Sequence, residues 1–256
     1  MQTPPHQNVP APITVLLGAT LQLYLRTFKP LFATAAVIAV VLSIVGSRVL
    51  PEPDIDRPES VLPALLASIV FQSLSIGVFS VVLWRAALLR RGESSSLSGT
   101  IRAALTFGPR CFAGAFLLGL LFLFALASIP LLLPVIVYVW VRASLYMPAV
   151  VLENRSIVGG FVRSWHLVSN RWFRTLLLEA IVTVPFFTVT AALTIPLAGP
   201  DSSSLALIVI DVLSNGVFVP FLSVFGLLLF EDYRGGSDGG DSPLQVVGRP
   251  PPDDPR

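Results

Sequence analysis

Six apolar runs, each near or above the length that crosses a bilayer, leave this chain few ways to fold. They cover about residues 31–50, 63–89, 111–129, 132–152, 173–197 and 205–230. About twenty apolar residues span the hydrocarbon layer as a helix. No water is present there to satisfy an open strand edge. The chain is therefore read as all-α, a polytopic membrane protein with about six transmembrane helices. Charge content supports this: only 12% of residues are charged, against about 25% in soluble domains. Mean hydropathy is +0.80.

Proline and polar residues mark the joints. Pro63 is placed at the start of the second span, which is longer than needed and must tilt or project. Pro130 and Pro134 divide the third run from the fourth, which favours a hairpin there over a re-entrant segment. Pro185 should kink the fifth span, and Pro220 lies within the sixth. Residues 1–11 read as a disordered N-terminus without a signal peptide's basic start. Residues 12–233 read as a single transmembrane domain, and the Gly-, Pro- and Asp-rich residues 234–256 as a disordered tail.

Three amphipathic stretches precede the odd-numbered spans. The first carries Ile13, Leu16, Leu17, Leu21, Tyr24 and Phe28 at helical spacing, and the second Leu97, Ile101, Ala104 and Leu105. The third puts Val158, Phe161, Trp165, Val168 and Trp172 on one face and Arg163, His166, Asn170 and Arg174 on another. Such helices suit a membrane surface. A unit of surface helix, span, turn and span, used three times, is one reading of the pattern; chance recurrence of amphipathic entries is the other.

Basic residues set the orientation. Arg26, Lys29, Arg85, Arg90, Arg91, Arg102, Arg110, Arg142, Arg155, Arg163, Arg171, Arg174, Arg234, Arg249 and Arg256 fall on one side. Arg48 and Arg57 alone fall on the other. Both termini and all three surface helices are thus expected in the cytoplasm of a cell with this protein in its inner membrane.

The third stretch also carries a motif. Pro148-Ala149-Val150-Val151-Leu152-Glu153 is followed by Arg163-Ser164-Trp165-His166-Leu167-Val168 and then Trp172-Phe173. This resembles the signature of the glycerophosphoryl diester phosphodiesterase membrane-domain family, and the resemblance extends from about Ile13 to the end of the last apolar run. It implies an architecture of spans and surface helices. It covers the membrane part only and brings no catalytic domain with it.

Little else suggests catalysis. His6 and His166 are the only histidines and Cys111 the only cysteine. No zinc-protease, phosphate-loop or dithiol pattern occurs. No enzyme activity, metal or cofactor is expected, and net charge of +2 gives no basis for nucleic-acid binding. Two groups of candidate residues stand out. Glu153, Arg163, Ser164, Trp165, Asn170, Arg171, Trp172 and Arg174 form the first. Either Glu153 pairs with Arg155 or Arg163 and pins the surface helix, or the arginines grip lipid phosphates beside interfacial tryptophans. Asp211 and Asn215, one turn apart inside the sixth span, form the second. They suit an ion site or a buried acid that fixes packing. Glu179 is similar, with Arg142 as a candidate partner. The expected partners are anionic membrane lipids on the cytoplasmic side and a membrane protein. The function read from this is a lipid-interacting or partner-organising module; the alternative is a small secondary transporter using Asp211.

Overall fold

The computed structural model describes residues 10–50, 57–93, 96–127, 133–195 and 204–237. Every regular element among them is a helix: α1 (Ile13–Val49), α2 (Pro58–Arg90), α3 (Leu97–Ala127), α4 (Leu133–Ala143), α5 (Tyr146–Leu152), α6 (Ile157–Val168), α7 (Trp172–Thr194) and α8 (Ser204–Ser237). Six segments are long and apolar enough to cross a membrane, α4 and α5 together making one of them. The protein is thus a multi-pass helical bundle. The expected loops at 51–56, 128–132 and 198–203 lie outside the described residues, as does most of each tail.

Two expected surface helices are not separate elements. α1 runs for 37 residues straight through Pro30. Its buried positions Leu16, Thr20, Tyr24, Thr27, Leu31, Ala35 and Ala39 make one unbroken stripe, and all of them can pack on one partner because the three-and-four spacing never slips. That partner is α8. The Tyr24 hydroxyl donates to the Val217 carbonyl at 3.1 Å, and its ring meets Phe221 edge-on. At 1.5 Å per residue α1 is about 55 Å long, nearly twice the hydrocarbon thickness. α3 likewise continues from Leu97 through Pro109. It lies tightly on α2, where a Cβ on Gly77 would sit 2.8 Å from the Gly108 carbonyl oxygen. α2 begins at Pro58, so Pro63 lies inside it rather than at its start. α8 continues to Ser237, past Arg234.

The fourth span also departs from a single helix. α4 ends at Ala143, Ser144 and Leu145 form a turn, and α5 starts at Tyr146. The three proposed units therefore have different builds: only the third has a helix, α6, separate from its span. Burial is unevenly spread along the bundle. Val82, Leu83, Tyr146, Val150, Val168, Leu227, Phe230 and Tyr233 belong to one core at the end where α2 and α8 finish. Towards the opposite end Val37, Val41, Leu62, Val184 and Phe187 point outward, as lipid-facing side chains do.

Candidate functional site at the basic end

α6 is held by its small residues. Gly160, Ser164, Leu167 and Val168 are buried, and a Cβ on Gly160 would meet Val150 Cγ2 at 2.7 Å. This corrects the expected apolar face. Val168 is on the buried side, but Val158, Val162 and Trp165 are exposed and share a different stripe. Trp172 is not on this helix at all, since Ser169 and Asn170 form a turn and Trp172 opens α7. The reason is steric. Close approach to α5 gains more contact through glycine and serine than a bulky indole would allow. The Ser156 side chain caps the start of α6 by accepting from the Gly159 N–H at 3.2 Å, as N-cap serines do.

Ser164 does more than leave room. Its hydroxyl donates to the Arg142 carbonyl at 2.7 Å and accepts from the Leu145 N–H at 3.1 Å. Those backbone groups lose helix partners where α4 breaks from α5, and inside a membrane they need others. Arg142 is 9% exposed. Its Nε and Nη2 donate to the Tyr138 hydroxyl, and Nη1 donates to the Trp165 carbonyl at 2.9 Å. The guanidinium also lies 5.1 Å from the centres of the Tyr138 and Trp165 rings, a cation–π geometry. Trp172 Nε1 donates to the Tyr138 carbonyl at 3.3 Å. One arginine and three aromatic residues thus tie α4, α6 and α7 together. Arg142 is engaged here, and the Ser144 hydroxyl donates to the Val141 carbonyl at 2.9 Å. Glu179 lines an apolar lateral groove of about 340 Å3 beside Trp140 and Thr183.

Glu153 receives both of its expected partners. Arg163 Nη2 lies 3.2 Å from Oε1 and Arg155 Nε lies 3.1 Å from Oε2. Asn154 next to it takes a positive φ of 52°, a conformation asparagine tolerates better than most residues. Its side-chain oxygen accepts from Arg110 on α3 at 2.7 Å. Tyr146 joins the same region. It stacks on Phe161 with centroids 4.7 Å apart and donates to the Cys111 carbonyl at 2.6 Å.

Arg171 and Arg174 lead to a second cluster. Arg174 Nη1 lies 3.1 Å from Asp232 Oδ2, and its Nη2 donates to the Ala11 carbonyl. Asp232 Oδ1 accepts from the Ala11 N–H at 3.0 Å. Both guanidinium groups lie over the Tyr233 ring, at 4.8 Å for Arg171 and 5.2 Å for Arg174. Arg90 at the end of α2 pairs with Glu231 at 2.6 Å. Glu231-Asp232-Tyr233 is therefore a hub for α1, α2, α7 and α8. In the sequence these residues look only like the edge of a membrane segment. Two adjacent carboxylates and a tyrosine directly after a long apolar run are the signal that was available.

Asn170 is exposed in the turn after α6. Asp211 lies in α8, and its side chain is outside the described residues. Asn215, one turn later, lines a cavity between α1, α2 and α8 together with Ser43, Ser47, Gln72 and Ser75. The polar residues of the first two runs that build it with Asn215 went unnoticed in the sequence because each is isolated among apolar neighbours. Among the described residues no three His, Cys, Asp or Glu side chains gather as a metal site. Comparison of the chain with protein-family models, with curated proteins and with solved structures returns no match.

Proposed function

We propose that this multi-pass protein is a non-enzymatic module of the inner membrane that seats α6 among cytoplasmic-side headgroups and gathers anionic lipid around it. One observation carries the reading. α6 packs its small-residue face on α5 yet leaves Val158, Val162 and Trp165 uncovered in one stripe, with Val158 71% exposed. An apolar stripe facing water would gain nothing, whereas the same stripe against acyl chains is fully accommodated. Tyr138, Trp140 and Phe173 continue the exposed apolar surface, and aromatic residues favour the headgroup level. Arg163 and Arg174 are occupied by carboxylates, so attraction for anionic headgroups falls to exposed cations such as Arg26, Lys29 and Arg102. Each contributes about 1 kcal/mol near a negative surface.

The family resemblance belongs to this proposal, because the motif residues are those that join α5, α6 and α7. Orientation with both termini in the cytoplasm is part of it too. The test is thermal unfolding in nanodiscs. Wild-type protein should melt higher in discs of phosphatidylglycerol than in discs of phosphatidylcholine. Lys29→Gln with Arg102→Gln should remove much of that difference while leaving the melting temperature in neutral lipid nearly unchanged. Identical melting of the wild type in both lipids would sink the reading.

A further inference from the structure

The cavity between α1, α2 and α8 has the wrong chemistry for a gap filled by lipid. Its volume is about 340 Å3, at the small end of ligand sites. Hydroxyls of Ser43, Ser47 and Ser75 and carboxamides of Gln72 and Asn215 converge on it from three helices. All five lie in segments apolar enough to cross a membrane, where exposing a polar group to hydrocarbon is costly. Gln72 is the clearest case. Its side chain is exposed, and among the described residues it has no hydrogen-bond partner. Solvent or a ligand in the cavity is what can satisfy it.

Leu50, at the outer end of α1, lines the cavity, while Ala39 and Phe79 lie at its inner end. Below them Leu31, Ala35, Val82 and Leu83 are fully buried, and Arg85 hydrogen-bonds to the Thr34 hydroxyl. Packing closes the bundle on that side of the cavity.

We propose that this cavity is a solvent-connected binding site for a small uncharged polyhydroxylated solute, a sugar or a polyol. Among the described residues no charged side chain lines it, and such a lining offers little to offset the desolvation of an ion. Ser47 and Ser75 donate to the Ile44 and Phe71 carbonyls, so their oxygens are left to accept. The Gln72 carboxamide supplies two donors and an acceptor together, which matches neighbouring hydroxyls on a solute. The Phe71 and Phe79 rings offer flat apolar surface to the carbon face of the same molecule. Nothing in this assignment depends on the headgroup contacts of α6.

Single cysteines in a Cys111→Ala background test it. In nanodiscs, Ser43→Cys should react with a charged methanethiosulfonate reagent at least about tenfold faster than Val41→Cys or Ile44→Cys, because the reactive thiolate forms poorly in apolar surroundings. Val41 and Ile44 are exposed on the lipid-facing sides of the same helix. If Ser43→Cys does not fold, Ser47→Cys serves at the cavity mouth. Glucose or mannitol at millimolar concentration should slow the reaction several-fold, acetate should not, and Gln72→Leu should abolish the protection while labelling persists. Equal labelling of cavity and lipid-facing positions would overturn the solvent-connected cavity. Faster labelling that neither glucose nor mannitol slows, or protection that survives Gln72→Leu, would overturn the assigned solute.

Discussion

At the residue scale, two carboxylates with similar partners differ in what they hold. The Asp232 side chain is fully buried against Arg174 and the Ala11 N–H, whereas Glu153 keeps 12% of its side-chain surface and shares two arginines, one half exposed. Removing one member of a buried pair leaves the other uncompensated, while an accessible pair is screened by water. Arg174 is 18% exposed, which relieves part of the loss. Asp232→Asn should therefore cost about 2–4 kcal/mol and Glu153→Gln about 1 kcal/mol or less. Melting of both variants in one lipid would check this, and the reverse order would remove the hub role of Asp232. Glu153 was legible in the sequence because it stands alone between two basic segments. Asp232 was not, since its partners lie 221 and 58 residues away in the chain. Spacing along a sequence carries no record of such pairs.

At the element scale, apolar run length located the spans but not their joints. Pro30 and Pro109 stand just before the expected starts of the first and third spans, where proline removes one backbone donor. In α1 the buried stripe continues in register across Pro30, and α8 covers it on both sides. Packing of that length outweighs one missing hydrogen bond. Of the apolar face expected from the sequence only Leu16 and Tyr24 lie in that stripe, and Leu21 is exposed. α6 shows a further limit. Its buried face was hidden because glycine and serine carry no hydrophobic signal, although close helix contact depends on them. A matched pair of substitutions separates these effects. Gly160→Ala should destabilise by about 1–2 kcal/mol, because Val150 is packed and cannot retreat easily. Gly18→Ala, with nothing within 4 Å, should be neutral or stabilise α1 by up to about 1 kcal/mol. Equal melting shifts would mean that α5 and α6 are not in tight contact.

At the scale of the whole molecule, α2 joins the two ends of the bundle with Arg57 before its start and Ser96 beyond its finish. Its 33 residues make about 50 Å, enough to set these positions on opposite sides of a membrane. In intact cells, with Cys111→Ala, Arg57→Cys should react with an impermeant thiol reagent and Ser96→Cys should be shielded. Labelling of Ser96→Cys alone would invert the orientation drawn from the basic residues. The clasp between Ala11 and Asp232 has a consequence for biosynthesis. Of the eight helices α1 leaves the ribosome first and α8 last, yet each is the other's main neighbour. The stripe from Leu16 to Ala39 must wait, covered by lipid or by the insertion machinery, until α8 has been made. The clasp of Ala11 with Asp232 and Arg174 can therefore close only after every intervening helix has been made.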